Sequence, residues 1–406
     1  MSSPPKPQKM LILGIMMQFV NLTGQREAYR EELAAAESAV LDSGCFVGGP
    51  EVAALERELA DFCNSGSPDA GKGRAEPETH AITCASGTDA LTIALMALGL
   101  KPGDEVIVPD FTFIAPAECV DFLGGIPRFA DIDPETLQID PESVKARISP
   151  KTRGIIGVDL FGQCAPFMEL RRIADEHELW IVEDAAQAFG ATSGARRACT
   201  FGDISITSFY PSKPLGCYGD GGAVFTQDAR LAEKVRMLAN HGSRERYLHE
   251  TVGMNSRLDA LQAAILRVKL RHLEDELKVR RENARKYDEF FGALNGAGGI
   301  DGAKIVPQQI GANCKTPKLE INCTSTYAQY TVLADDRETF IAKLDAAGIP
   351  HCIHYPQPLH EQPCFKGLAQ GSENKNAIMA SKKAVSLPVC AFTDVDFIIN
   401  KLRSVL

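Results

Sequence analysis

The sequence lacks the close cysteine spacing of metal and redox centres. Twelve cysteines are present, but no two lie within four residues of one another, so no C-x-x-C pair exists for a zinc finger or a thioredoxin-like dithiol. A disulfide scaffold belongs to small secreted domains rather than to 406 residues, and the cysteines read as scattered thiols kept reduced in a cytosol. There is no basic excess: 43 Lys+Arg stand against 53 Asp+Glu, a formal net charge of −10, which argues against nucleic-acid binding. G-x-G-x-x-G is missing; Gly296-Ala297-Gly298 comes closest and runs into Asp301. G-x-x-x-x-G-K-[ST] is missing too, so the common nicotinamide and nucleoside-triphosphate cradles have no support. No apolar run is long enough to span a bilayer. Met10–Val20 follows Lys6 and Lys9 and precedes the first acidic residue, Glu27, as the opening of a signal peptide would. However, Asn21-Leu22-Thr23-Gly24 offers no small-x-small cleavage site, so the expected location is cytoplasmic, with no membrane contact.

What is present is an ordinary globular composition, 45% hydrophobic and 24% charged, with chain enough for a large core. From His80 to about Thr226 short apolar runs alternate with amphipathic stretches. Strands are predicted at 81–84, 105–108, 127–130, 154–158, 179–182, 204–209 and 223–226, and helices at 89–98, 142–148 and 167–178. This alternation implies βαβ units and a mainly parallel seven-stranded sheet covered on both faces. Ligands of such sheets bind beyond the carboxyl ends of the strands. A long helical pattern from Ser256 to about Phe291 has apolar residues at Leu258, Leu261, Ile265 and Val268. With a strand at 326–333 and a helix at 336–347, it predicts a smaller C-terminal α/β domain. The expected organisation is an extension over 1–16, a large domain over 17–255, and a linking helix with the small domain over 256–406. Asn64–His80 and Gly292–Pro317 read as loops.

Three strand ends carry candidate chemistry. Ser86-Gly87-Thr88 leaves the first strand and opens a helix, where backbone N–H groups can meet an anion; taken alone, a plain turn capped by Thr88 with no ligand is the commoner reading. Leu179–Val182 runs into Glu183-Asp184, and a carboxylate at the end of a buried strand needs a partner: it is either a helix cap or the holder of a protonated pyridine nitrogen. Lys213 sits between Pro211 and Pro214 at the end of the 204–209 strand, where desolvation lowers an amine pKa as Schiff-base chemistry requires.

Together, Ser86–Leu91, Glu183–Gln187 and Ser208–Gly216 resemble the DegT/DnrJ/StrS family of pyridoxal-phosphate-dependent nucleotide-sugar aminotransferases, from about Phe19 to the C-terminus. Pro211–Gly222, Gly253–Asp259, Tyr327–Tyr330 and His354–Pro356 are similar to the branch working on UDP-linked 2-acetamido-3-keto-glucuronate. The resemblance implies fold type I, the aspartate-aminotransferase-like fold, and a homodimer with shared active sites. It also implies transfer of an amino group from an amino acid, by family habit L-glutamate, to the keto carbon of a nucleotide-linked sugar.

It implies roles as well. Lys213 would carry the cofactor as a Schiff base and shuttle the proton, and Asp184 would pair with the pyridinium nitrogen. Gln187 would bond the ring oxygen and Phe113 would stack on the ring. Gly87, Thr88 and Ser208 would bind the phosphate, with Asn255 supplied by the neighbouring subunit. Arg257, His354 and Tyr355 are candidate sugar contacts, or ordinary surface and core residues. A sugar dehydratase of the same fold would replace the lysine with histidine, and a regulator would show damage at a cofactor position; neither change is present. The first sixteen residues and the Asn64–His80 insertion depart from the family pattern.

Overall fold

The computed structural model describes residues 17–66, 78–296, 306–307, 323–368 and 373–406. The leading apolar run through residue 16, the insertion over 67–77 and most of 297–322 lie outside the described residues.

Seven strands form one sheet: β1 (His80–Cys84), β2 (Glu105–Pro109), β3 (Ile126–Ala130), β4 (Thr152–Val158), β5 (Trp180–Asp184), β6 (Ile204–Ser208) and β7 (Gly222–Thr226). Their spatial order is β1-β7-β6-β5-β4-β2-β3. β7 runs antiparallel to both its neighbours, and the remaining pairs are parallel. Because both faces are covered, the central strands read as unbroken apolar runs: Val106, Ile107 and Val108 are all fully buried.

The helices are α1 (Leu22–Ala28), α2 (Arg30–Ser43), α3 (Gly49–Asn64), α4 (Gly87–Leu98), α5 (Ala115–Phe122), α6 (Pro141–Arg147), α7 (Phe167–Glu176), α8 (Ala229–Leu238), α9 (Ala260–Gly296), α10 (Arg337–Ala346), α11 (Lys375–Lys383) and α12 (Val395–Val405). On one face of the sheet Leu91, Ile93 and Leu95 of α4 pack with Val108, Val182, Ile206 and Val224. On the other, Phe189, Phe209 and Phe225 meet Leu55 and Leu59 of α3 and Leu266 and Leu277 of α9. Each such side chain contributes about 1.5–3 kcal/mol by leaving water, so Phe225→Ala would open a cavity costing about 3–5 kcal/mol.

Farther along α9, Tyr287 and Phe291 join Tyr330, Val332, Phe340, Ile398 and Leu402 in a separate core. There β8 (Val306–Pro307), β9 (Tyr330–Leu333) and β10 (Ala384–Leu387) form an antiparallel sheet with β9 central.

Several expected boundaries move, each for a physical reason. Glu183 and Asp184 are the last residues of β5 rather than its sequel, because Gly157 and Val158 continue the parallel pairing beside them. The cap of α4 is Ser86, whose Oγ accepts from Asp89 N–H at 3.0 Å, and not Thr88, which lies inside the helix. Residues 326–329 are not strand. Thr326 N–H and Ala328 N–H donate to Gly162 and Phe161 carbonyls of the larger sheet's connections, at 3.0 and 3.2 Å, and strand pairing starts only at Tyr330. The long helix begins at Ala260, not Ser256, since Asp259 is bridged to Val47 and Ala260 N–H donates to Phe46. It also runs through Gly296, into the span read as loop.

Candidate active site

The carboxyl ends of β1, β2, β4, β5 and β6 bring the candidate residues to one edge of the sheet. Between β1 and α4, Gly87 is required by close approach: a Cβ there would lie 2.6 Å from Ser208 Cβ. The first turn of α4 therefore sits against the end of β6, with Thr88 in that turn and the Ser208 hydroxyl beside it. The turn is held from below by Ser256, which is fully buried; its Oγ accepts from Ala85 N–H at 3.1 Å and donates to Asp89 Oδ2 at 2.6 Å.

Asp184 is buried, 6% exposed, and one carboxylate oxygen accepts from Ala186 N–H at 3.0 Å. Burial raises its pKa, against the Ala186 hydrogen bond and the charge of Lys213. Lys213 lies on the loop after β6, where its N–H donates to Tyr210 C=O at 2.9 Å. Burial lowers its pKa and the Asp184 charge opposes the shift. Asp184 closes β5 and Lys213 lies beyond the neighbouring parallel strand β6, near enough for the charge of each to act on the other.

Gln187 is buried and held from two sides: its Oε1 accepts from Phe161 N–H at 2.8 Å and its Nε2 donates to Tyr355 Oη at 3.3 Å. Tyr355 has its pKa raised by burial and lies 6.3 Å, ring to ring, from Phe113. Phe113 itself is 53% exposed, an open aromatic face at the mouth of the site. His354 Nδ1 lies 3.0 Å from Ser386 Oγ, and burial, aided by the Lys213 charge, pushes its pKa down to about 4. His354 is therefore neutral near pH 7 and offers a hydrogen bond, not a cation.

Two sequence candidates are not drawn into this cluster. Asn255 and Arg257 flank Ser256 and are exposed. Among the described residues, no side-chain hydrogen bond joins either of them to the first turn of α4.

Sequence reading missed the parts that support the cluster. Asp110, at the end of β2, is fully buried; its oxygens accept from His360 N–H at 2.8 Å and Asn374 Nδ2 at 2.8 Å, and also meet the His360 ring. Hydrogen bonding to Asp110 raises the His360 pKa. This joint fixes the Asp110–Phe113 loop to the C-terminal segment. Behind Asp184, Asp159 and Glu183 are both fully buried. Glu183 accepts from Cys199 N–H, Phe201 N–H and Ser205 Oγ at 2.7, 2.8 and 2.6 Å. Burial, then the Glu183 charge, raises Asp159 well above the usual carboxyl range. Burial raises Glu183 as well, so both carboxyls behind Asp184 are pushed toward their neutral forms. The position of Asp110 at a strand end was the one available signal for these groups.

A seven-stranded sheet with a lone antiparallel strand, a half-buried amine near a buried carboxylate, and a helix start packed closely at Gly87 fit a fold-type-I pyridoxal-phosphate enzyme. The donor set suits a pyridine aldehyde bearing a phosphate: an amine, an acid, an aromatic face and a helix start lie together at one sheet edge. Residues 27–403 match the DegT/DnrJ/EryC1/StrS aminotransferase family, and the chain belongs to that family. It is 43% identical over 382 residues to the UDP-2-acetamido-2-deoxy-3-oxo-D-glucuronate aminotransferase of Pseudomonas aeruginosa, covering 93% of this chain and 96% of the relative. It is 40% identical to the dTDP-3-amino-3,4,6-trideoxy-alpha-D-glucose transaminase of Streptomyces venezuelae, covering 91% and 90%. The crystal structure of S. venezuelae DesV in complex with a ketimine intermediate superposes with a TM-score of 0.84 at 37% identity, covering 96% of this chain and 98% of that one. The protein is a pyridoxal-phosphate-dependent nucleotide-sugar aminotransferase. Among the described residues no helix is long and apolar enough to cross a membrane.

Proposed function

We propose that this aminotransferase moves an amino group from L-glutamate to the 3-keto carbon of a UDP-linked 2-acetamido-glucuronate. It does so in the cytoplasm, as a homodimer whose two active sites each draw on both chains. What supports the uronate reading is an exposed cation, Arg257, which lies outside its own chain's Lys213 cluster and two residues from Asn255, offered with Asn255 to the neighbouring site, where the neutral His354 and Tyr355 stand near Lys213. A sugar with a carboxylate gives that guanidinium a partner with matching two-oxygen geometry. The P. aeruginosa relative supports the same substrate class.

Bound pyridoxal phosphate supplies an aldehyde carbon and an electron-poor ring that draws electrons from the donor's α-carbon. The chain does the rest. Lys213, its basicity reduced by burial, carries the proton taken from the donor's α-carbon and returns one at the accepting sugar carbon. Asp184 holds the proton on the ring nitrogen, and Gln187, fixed by Phe161 N–H and Tyr355, meets the ring oxygen. Gly87, Thr88 and Ser208 hold the phosphate at the start of α4, and Phe113 covers one ring face.

Shared sites are supported by what surrounds Asn255 and Arg257. Phe46 and Val47, bonded to the Asp259–Ala260 segment, are 47% and 52% exposed, while Tyr247, Leu248 and Val252 on the hairpin before Asn255 are 81%, 54% and 83% exposed. An apolar strip of this kind fits a second copy that brings Asn255 to the neighbour's phosphate. The described cysteines are all free thiols, as a reducing cytoplasm requires.

The test is a screen of 3-keto and 4-keto nucleotide sugars with glutamate, the product read by mass. Amination of the UDP-linked 3-keto uronate ahead of its neutral and 4-keto counterparts supports the reading. Preference for a neutral or 4-keto sugar rejects it.

A further inference from the structure

Three polar residues lie at seven-residue spacing along α9, two turns apart and so on one face: Gln262, Lys269 and Glu276. Lys269 is 2% exposed, on a helix whose neighbouring positions Ile265, Leu266, Val268 and Leu273 are buried. Its Nζ donates to Gly216 C=O at 2.7 Å and lies 4.3 Å from the centre of the Tyr218 ring. Gln262 grips the backbone of Tyr218 itself: its Oε1 accepts from Tyr218 N–H at 2.8 Å, and its Nε2 donates to Tyr218 C=O at 3.3 Å. Glu276 is 4% exposed and accepts from Gln25 Nε2 at 2.9 Å and Tyr29 Oη at 3.0 Å.

Gly216 and Tyr218 are the return limb of the loop that presents Lys213. The loop is closed at its neck, where Cys217 N–H donates to Phe209 C=O at 2.8 Å. Inside the neck Gly216 passes so near the outgoing limb that a Cβ would lie 2.8 Å from the Tyr210 carbonyl oxygen. Only Lys269 ties the Gly216 carbonyl to the helix among the described residues. A charged donor in a dry site holds a carbonyl more firmly than a neutral one.

We propose that Lys269 is a positioning residue: from α9 it clamps the return limb of the Lys213 loop and sets where the Lys213 amine stands relative to Asp184. The inference rests on the aminotransferase activity and not on which sugar is used. The charge is held where water is scarce, which pushes the Lys269 pKa down to about 8, against Glu276 and the Cys217 thiol, the other ionisable groups acting on it. Buried cations destabilise a fold unless something requires them, and Gly216 is what this one meets.

The test compares holoenzymes carrying Lys269→Met, which removes the donor, and Lys269→Gln, which keeps one. Turnover and the pH midpoint of the visible cofactor band are both read. Lys269→Met should lower kcat about tenfold, the weight of one charge-assisted hydrogen bond, with KM for both substrates changed less than about twofold. The band midpoint should move by about half a pH unit or more, because Lys213 and Asp184 no longer keep their spacing. Lys269→Gln should recover most of kcat. A wild-type kcat and midpoint in Lys269→Met overturns the proposal, and so does equal loss in both variants with an unmoved midpoint. Should Lys269→Met fail to fold, Gln262→Leu frees the same limb from a less buried position. It must then shift the midpoint in the same way, and an unmoved midpoint overturns the clamp.

Discussion

Asp184 ends β5 and Lys213 lies on the loop that follows the neighbouring parallel strand β6, and burial drives both toward their neutral forms while each draws the other toward charge. An amine and an acid whose charged forms burial both disfavours make a pair that a third, positively charged group completes. A protonated pyridine ring is such a group.

Asp184→Asn preserves shape and removes that charge. Cofactor should still bind through the Gly87, Thr88 and Ser208 cradle, while kcat falls by about a hundredfold or more, measured under saturating cofactor. Near-normal turnover would reduce Asp184 to the partner of Ala186 N–H.

His354 gives a stability prediction with a definite sign. It stays neutral in the folded chain down to about pH 4, whereas an unfolded histidine takes its proton near pH 6.5. Between those values the unfolded chain holds the extra proton, so stability is lost as pH falls from about 6.5 toward 4. Allowing for partial exposure, His354 accounts for about 2 kcal/mol of that loss. Thermal melts of wild type and His354→Gln at pH 7.5 and pH 5 should show a smaller drop in the variant; parallel drops would mean that the imidazole already takes its proton in the folded chain.

Much of this was legible in sequence because strand ends carry the chemistry. Short apolar runs gave all seven strands of the large sheet to within about two residues, and Asp184 and Lys213 stood out as charges where apolar runs stop. What escaped depends on contacts between distant segments. Asp110 meets His360 and Asn374 across some 250 residues, and Lys269 meets Gly216 across 53. No local period encodes such pairs. Lys269 did leave a trace: four residues after Ile265 and three after Leu266, it occupies the buried face of α9. Thr88 was read as a cap because it is a good capping residue, but Ser86, two residues earlier, has the extended backbone that a cap needs.

Arg257 tests the substrate. If its guanidinium meets a sugar carboxylate, Arg257→Ala should lower kcat/KM for the uronate by about ten- to a hundredfold and leave the matching neutral hexose derivative within about threefold. Equal losses on both sugars would place the carboxylate elsewhere.

Mixed dimers test the shared site. Lys213→Ala and Asn255→Asp homodimers should each be nearly inactive, the second because a carboxylate repels the phosphate. After subunit exchange, half the dimers are mixed and one site in two is intact, so about a quarter of wild-type activity should return. No recovery would show that both residues serve the same chain's site.

The most direct test is to find the lysine that carries the cofactor. Borohydride reduction of the holoenzyme, followed by digestion and mass mapping, should fix pyridoxal phosphate to the peptide containing Lys213 and to no other. Lys269, whose pKa burial also depresses, should remain unmodified because its amine is committed to Gly216 C=O. Label on Lys269, or on any lysine besides Lys213, would contradict the account.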